Sequence, residues 1–143
     1  MSTEENKALV RRWYEEFNKH SLAGIAEDCV PGYVVHGTSV FPDTDLAGMQ
    51  LWCTVLWTAL PDMHVVVEDL IAEGDKVVSR LTIRGTHRGE YMGIPPTGKQ
   101  ASLTGIEIDR IEDDKVVESC FSQDMLGLMQ QLGAIPQMAQ TGA

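Results

Sequence analysis

From Met63 onward the chain changes period, and that change constrains the fold more than any other feature of the sequence. Met63 to Ile71 is rich in valine, Lys76 to Arg84 is its return strand, Gln100 to Ile111 is a long strand and Lys115 to about Gln123 a final one. Runs rich in β-branched residues and bounded by turn residues read as strands. Glu73-Gly74-Asp75 and Glu112-Asp113-Asp114 are short turns, so the strands on either side of each run antiparallel. Between the second and third strands lies Gly85 to Gly98, with four glycines and two prolines in fourteen residues. That composition supports no regular element and predicts a long excursion between strands.

The chain before Met63 is mostly helical in period. Ser2 with Glu5 three residues on has the form of a capping box, and Leu9, Val10, Trp13, Tyr14 and Phe17 share one face. A helix over about 3–19 follows. Ser21 is placed to cap a second helix carrying Leu22, Ile25, Ala26 and Cys29, which Pro31 closes. Tyr33 to His36 is a short strand, and Phe41 to Thr44 is a loop punctuated by Pro42 and Asp43. A third helix spans about Leu46 to Leu60 with apolar residues on more than one side, which predicts that it is largely buried. At the other end, Met125, Leu128, Met129 and Leu132 return to helical spacing, Gly133 is a fitting stop, and a loose tail begins near Pro136.

Helices segregated from a run of hairpins define an α+β domain. Twisted antiparallel strands with helices on one side make a cone enclosing a pocket. At 143 residues the chain is one domain, long enough to bury roughly 70% of its unfolded surface. Its formal net charge of −10 argues against nucleic acid and against an anionic membrane as partners. The first residues, MSTEENKALVRR, are polar and read neither as a signal peptide nor as a membrane span. Cys29, Cys53 and Cys120 are odd in number and set in apolar or helical surroundings, which predicts buried, reduced thiols and a cytoplasmic protein. No spacing of His, Cys or carboxylates suggests a metal site, and Asp113-Asp114 reads as a solvated turn.

Few residues are candidates for chemistry. Asp124 stands where strand period gives way to helix period, and two readings are open: an N-cap, or an acid presented to the cavity. Glu107 lies between Ile106 and Ile108 and so points to the opposite face. His36 ends a short apolar strand, as a rim or core histidine or as a pocket group. Glu118 is read as solvated. His87 follows Gly85-Thr86, where it fixes loop backbone or touches a ligand. Trp52 and Trp57 are five apart and cannot face one direction, so one is core and the other a candidate pocket wall. Trp13, Tyr14 and Phe17 are read as core.

Three stretches carry a family resemblance. They are W-T-A-L-P-D at Trp57 to Asp62 followed by E-G-D-K-V-V from Glu73; G-T-H-R-G-E-Y-M-G-I-P-P-T-G from Gly85; and I-E-I-D-R-I, K-V-V-E and D-M-L-G-L-M-Q-Q-L-G between Ile106 and Gly133. Together with the first helix they resemble the SnoaL-like polyketide cyclases, within the superfamily that shares the nuclear-transport-factor-2 fold. The resemblance implies a cone-shaped α+β barrel, assembly as a dimer or larger oligomer, and ring closure by intramolecular aldol condensation without metal or cofactor. It implies an aspartate general acid/base at Asp124. Where many relatives have tryptophan this chain has Cys120, and where many have histidine on the preceding strand it has Glu107, which changes the proton inventory of the site.

The expected function is therefore cofactor-independent acid/base chemistry on a small apolar, cyclic or polyketide-like ketone. Asp124, Glu107 and His36 are the catalytic candidates, and Trp57, Trp52, His87 and Met92 the substrate contacts. An isomerase or epoxide-opening hydrolase in which Glu107 and Asp124 divide the roles is an alternative, as is a binding module without catalysis. A small acidic domain with one exposed sheet face is expected to pair through that face as a homodimer.

Overall fold

One six-stranded sheet organises the molecule, in the order β2-β1-β6-β5-β4-β3. The strands are β1 (Cys29–His36), β2 (Thr44–Asp45), β3 (His64–Glu73), β4 (Lys76–Thr86), β5 (Gln100–Glu112) and β6 (Lys115–Gln123). The helices are α1 (Thr3–Asn18), α2 (Leu22–Glu27), α3 (Leu46–Ala59) and α4 (Met125–Gln131). This computed structural model describes residues 2–38 and 40–136, so most of the expected loose tail lies outside the described residues.

The four hairpin strands pair antiparallel in the expected sequence, and Asp113 and Asp114 both take positive φ in the tight turn between β5 and β6. Because β2 and β3 are the sheet's two ends and do not pair with each other, the cone is open, not a closed barrel. Irregularities in register at Val67/Asp69 and Arg110/Ile111 add to its curvature.

Helix α1 packs its buried Leu9, Val10 and Trp13 into the concave side, against β3 and β4. The last residue of α1 fixes the sheet's free edge. Asn18 donates to the Val65 carbonyl at 3.0 Å and accepts from the Val65 N–H at 2.7 Å. The Trp13 indole donates to the Ile25 carbonyl at 3.1 Å, which ties α2 to α1.

Three local expectations are corrected. The first strand begins at Cys29, not Tyr33, and contains Pro31; the proline sits where the register between Cys29 and Val34 is broken, so no ladder donor is lost. That strand runs parallel to β6, which is permitted because the two are not joined by a turn. Thr44 and Asp45 form β2, where a loop was expected. Finally, α3 is not largely buried: Leu51 is 62% and Val55 44% exposed, and only Met49 and Ala59 are buried. The helix roofs the open side of the cone, so one apolar side faces the cavity and another faces out.

Candidate active site

The concave side of the cone holds a cavity of about 200 Å³. Helix α1 contributes Trp13, Tyr14 and Phe17 to its wall, α3 contributes Trp52, Cys53 and Trp57, and the sheet contributes Leu103, Phe121 and Glu107 among others. Trp52 and Trp57 both line it, contrary to the expectation that one is core; α3 lies across the mouth and the cavity wraps around it. Trp52 packs edge-on to Phe121 at 5.8 Å between centroids. Trp57 is stacked on His20 at 4.6 Å. Tyr14 and Phe17, read as core, are walls as well.

The loop from His87 to Lys99 closes one side of the mouth. Gly89 crosses the end of α3 so tightly that a Cβ there would meet the Thr58 carbonyl oxygen at 2.3 Å. The Arg88 and Gly89 amides donate to the Ala59 carbonyl at that crossing. Tyr91 and Ile94 pair across a two-residue turn, with Met92 (φ 49°) and Gly93 (φ 80°) in the left-handed region. This turn carries Met92, 53% exposed, to the cavity rim. His87 is fully buried, but it is not a wall. Its Nδ1 accepts from the Thr97 amide at 3.2 Å and lies 3.0 Å from Thr97 Oγ1, which fixes the loop's base.

Among the described residues that line the cavity, Glu107 is the one carboxylate, and no Lys, Arg or His stands beside it. The parity of β5 explains its direction. Ala101, Leu103, Gly105, Glu107, Asp109 and Ile111 face the concave side, while Ile106 and Ile108 are exposed on the convex side. Two residues deeper than Glu107, Asp109 is wholly buried. Its Oδ1 accepts from the Ser119 hydroxyl, which in turn accepts from the Tyr33 hydroxyl at 2.8 Å. The Tyr14 and Ser79 hydroxyls and Asp109 Oδ2 are buried without a partner of full hydrogen-bond geometry, although they crowd around Glu107.

These surroundings shift both carboxyls. Removal from water pushes Glu107 above the ordinary carboxylate range, and neighbouring Asp109, Tyr14 and Ser119 pull it partly back. Asp109 is pushed up well above its ordinary value, first by burial and then by the charge of Glu107. Two buried carboxyls side by side do not both ionise readily, so the pair holds a proton far into the range where exposed acids are bare.

Asp124 and His36 do not join this group. Asp124 is exposed at the start of α4, where its Oδ1 accepts from the Gly127 amide at 2.9 Å, and it is not part of the cavity wall. His36 lies on the convex side, 2.6 Å from Glu118 Oε2 and 3.2 Å from Asp43 Oδ2. Those carboxylates, Glu118 first, raise its pKa. Glu118 also accepts from Arg110 at 3.2 Å, as a half-exposed ion-pair member. Of the three catalytic candidates, then, only Glu107 faces the cavity. Asp109, Tyr33, Ser79 and Ser119 were not singled out from the sequence, and Tyr14 was read only as core. For Asp109 a signal existed, since it shares the parity of Glu107; the others are brought in by α1, β1, β4 and β6, which no local pattern aligns.

Fold and site together define an open α+β cone whose apolar cavity has one acidic end. The chain belongs to the SnoaL-like polyketide cyclase family, whose family model matches residues 8–132. The aklanonic acid methyl ester cyclase AcmA of Streptomyces galilaeus is 31% identical over 133 residues, covering 90% of this chain and 91% of that protein. Among solved structures, AclR of Streptomyces galilaeus, a proposed hydroxylase, is 32% identical with a TM-score of 0.90, over 97% of this chain and 87% of that one. IdmH of Streptomyces antibioticus, a proposed polyketide cyclase, is 30% identical with a TM-score of 0.80, over 90% of this chain and 98% of that one.

Proposed function

We propose that this chain closes a ring in a polyketide-like ketone by acid/base catalysis, with Glu107 as the group that moves the proton. The observation that carries the reading is the single carboxylate in the wall of an otherwise apolar cavity, backed by a second buried acid. In an intramolecular aldol closure, the carbon between two carbonyls gives its proton to ionised Glu107. The enolate carbon attacks the acceptor carbonyl, and the resulting alkoxide takes the proton back from Glu107. No net proton is consumed, so one residue serves as base and then as acid without a cofactor. Trp52, Trp57 and Met92 supply apolar surface that holds the substrate's reacting carbons near each other.

The isomerase or epoxide-opening alternative, in which Glu107 and Asp124 divide the roles, needs a second carboxyl at the substrate, and Glu107 is the one carboxylate among the described residues of the cavity wall. Asp124 divides the readings: it caps α4 outside the cavity wall, whereas the resemblance assigns it the acid/base role. A natural first substrate is aklanonic acid methyl ester, which the relative AcmA is named for cyclising. On it, Glu107→Gln should lower turnover by roughly 100- to 10,000-fold with little change in binding. Asp124→Asn should be nearly silent. The reverse pattern, an inactive Asp124→Asn beside an active Glu107→Gln, would sink this reading and return the role to Asp124.

A further inference from the structure

We propose that Asp109, held by the Ser119 hydroxyl and through it by Tyr33, is a positioning residue that keeps a proton beside Glu107, so that Glu107 is the ionised member of the pair. The inference rests on the reading of Glu107 as the acid/base and adds the group that sets its protonation state.

Geometry separates the two acids. Glu107 reaches the cavity wall, whereas Asp109 is wholly buried and does not line it, so a ligand meets the first and never the second. The hydroxyl chain then divides Asp109's two oxygens. Oδ1 accepts from Ser119, whose own oxygen accepts from Tyr33. Oδ2 is buried with no partner of full geometry, which makes it the atom on which a proton belongs. An ionised Asp109 would leave a bare charged oxygen in a place without a cation, the costliest arrangement available there. Every titratable group facing the pair is itself an acid that stays neutral in this setting: Tyr14 from α1, Tyr33 and Cys29 from β1, and Cys53 from α3. None offers Asp109 a positive charge. Burial pushes both carboxyls up, and the charge of Glu107 pushes Asp109 up further.

The proton count then works in one direction. With one proton in the pair, Asp109 is neutral and Glu107 can accept the substrate's carbon-bound proton, while Asp109 keeps its own throughout. Loss of the Asp109 proton would set a second negative charge beside the developing enolate, which opposes its formation. Activity should therefore fall at low pH as Glu107 is protonated and at high pH as Asp109 ionises.

Infrared difference spectra of the ligand-free protein at neutral pH test where the proton sits. Wild type should show the carbonyl stretch of a buried, protonated carboxyl, and Asp109→Asn should lose it. Should Asp109→Asn fail to fold, Ser119→Ala keeps both acids and removes the bond that steadies an ionised Asp109; its band should persist to higher pH than in wild type. With aklanonic acid methyl ester as substrate, Asp109→Asn should lose the alkaline limb of kcat/KM against pH and keep the acidic one. A purely structural role would move stability but not these limbs. A band unchanged in Asp109→Asn, or no shift in Ser119→Ala, overturns this inference alone. Full turnover by Glu107→Gln overturns the catalytic reading on which it rests.

Discussion

Glu107 and Asp109 give the molecule a pH dependence opposite in sign to that of carboxylates held ionised in a folded state. Their folded-state pKa values lie above the unfolded ones, so the folded state binds more protons. The stability they permit is complete below the unfolded carboxylate range, near pH 4, and is lost as pH rises through the raised values. Melting temperature should accordingly decline as pH rises above about 4, and Asp109→Asn should flatten that decline; a wild-type melting curve indifferent to pH above that range would contradict it. Thiol chemistry offers a second check. Burial pushes Cys29 and Cys53 up to about 12, while Cys120 is exposed on the convex face. Alkylation of the native protein should modify Cys120 first, and equal labelling of all three would be the contrary result. The expectation of three buried thiols fails at Cys120 because its strand face is the convex one, which the sequence does not distinguish from the concave. By contrast, parity alone turned Glu107 away from its isoleucine neighbours. It aligns Asp109 equally well, but a buried aspartate next to an arginine and a turn looks like any solvated acid until the sheet curves over it.

Among the elements, the hairpin strands were the most legible because each is bounded by a turn and patterned on both faces. Helix α3 was misjudged for a physical reason: apolar residues all round describe a helix between two packed layers equally well as a roof over a cavity. The distinction has energetic consequences. Trp13 is fully buried beneath α1 and its indole is bonded to Ile25, so Trp13→Ala should cost about 3–5 kcal/mol. Trp52, only half-buried in α3, should cost clearly less when cut to Ala, because part of its surface already faces water in the folded state. Its larger effect should be on affinity for an apolar ligand. Chemical denaturation of both variants checks the order, and equal losses would mean that α3 is core after all. At the start of α4, Asp124→Ala should cost about 1 kcal/mol and Asp124→Asn almost nothing, since the bond to Gly127 is a cap either amide or carboxylate can make.

At the scale of the whole molecule, the cone leaves its convex face uncovered. The registers set Ile71, Val78, Ile108 and Cys120 side by side across β3, β4, β5 and β6, with Ile106 beside them on β5. Ile71 is 61%, Ile106 50% and Ile108 40% exposed. No helix of the described residues crosses that side, and none is long and apolar enough to span a membrane. We propose that a second copy of the chain covers this face, because the band is apolar at its centre and bordered by both signs, Arg80 and Arg110 on one hand and Glu118 and Asp69 on the other. A two-fold axis can set such borders against each other. The formal charge of −10 opposes the approach of two copies, whereas the apolar band favours it. Salt screens the first term and leaves the second nearly intact, with a Debye length of about 10 Å at 0.1 M ionic strength. Sedimentation velocity should therefore find a dimer that tightens as salt is added, and Ile108→Asp should turn it monomeric without unfolding it. A dimer that loosens with salt would mean that ion pairs, not the isoleucine band, hold the copies together, and a monomer at high micromolar concentration would end the proposal. Because Glu107 lies on the opposite face of the same strand, the Ile108→Asp monomer should still bind an apolar ligand in its cavity.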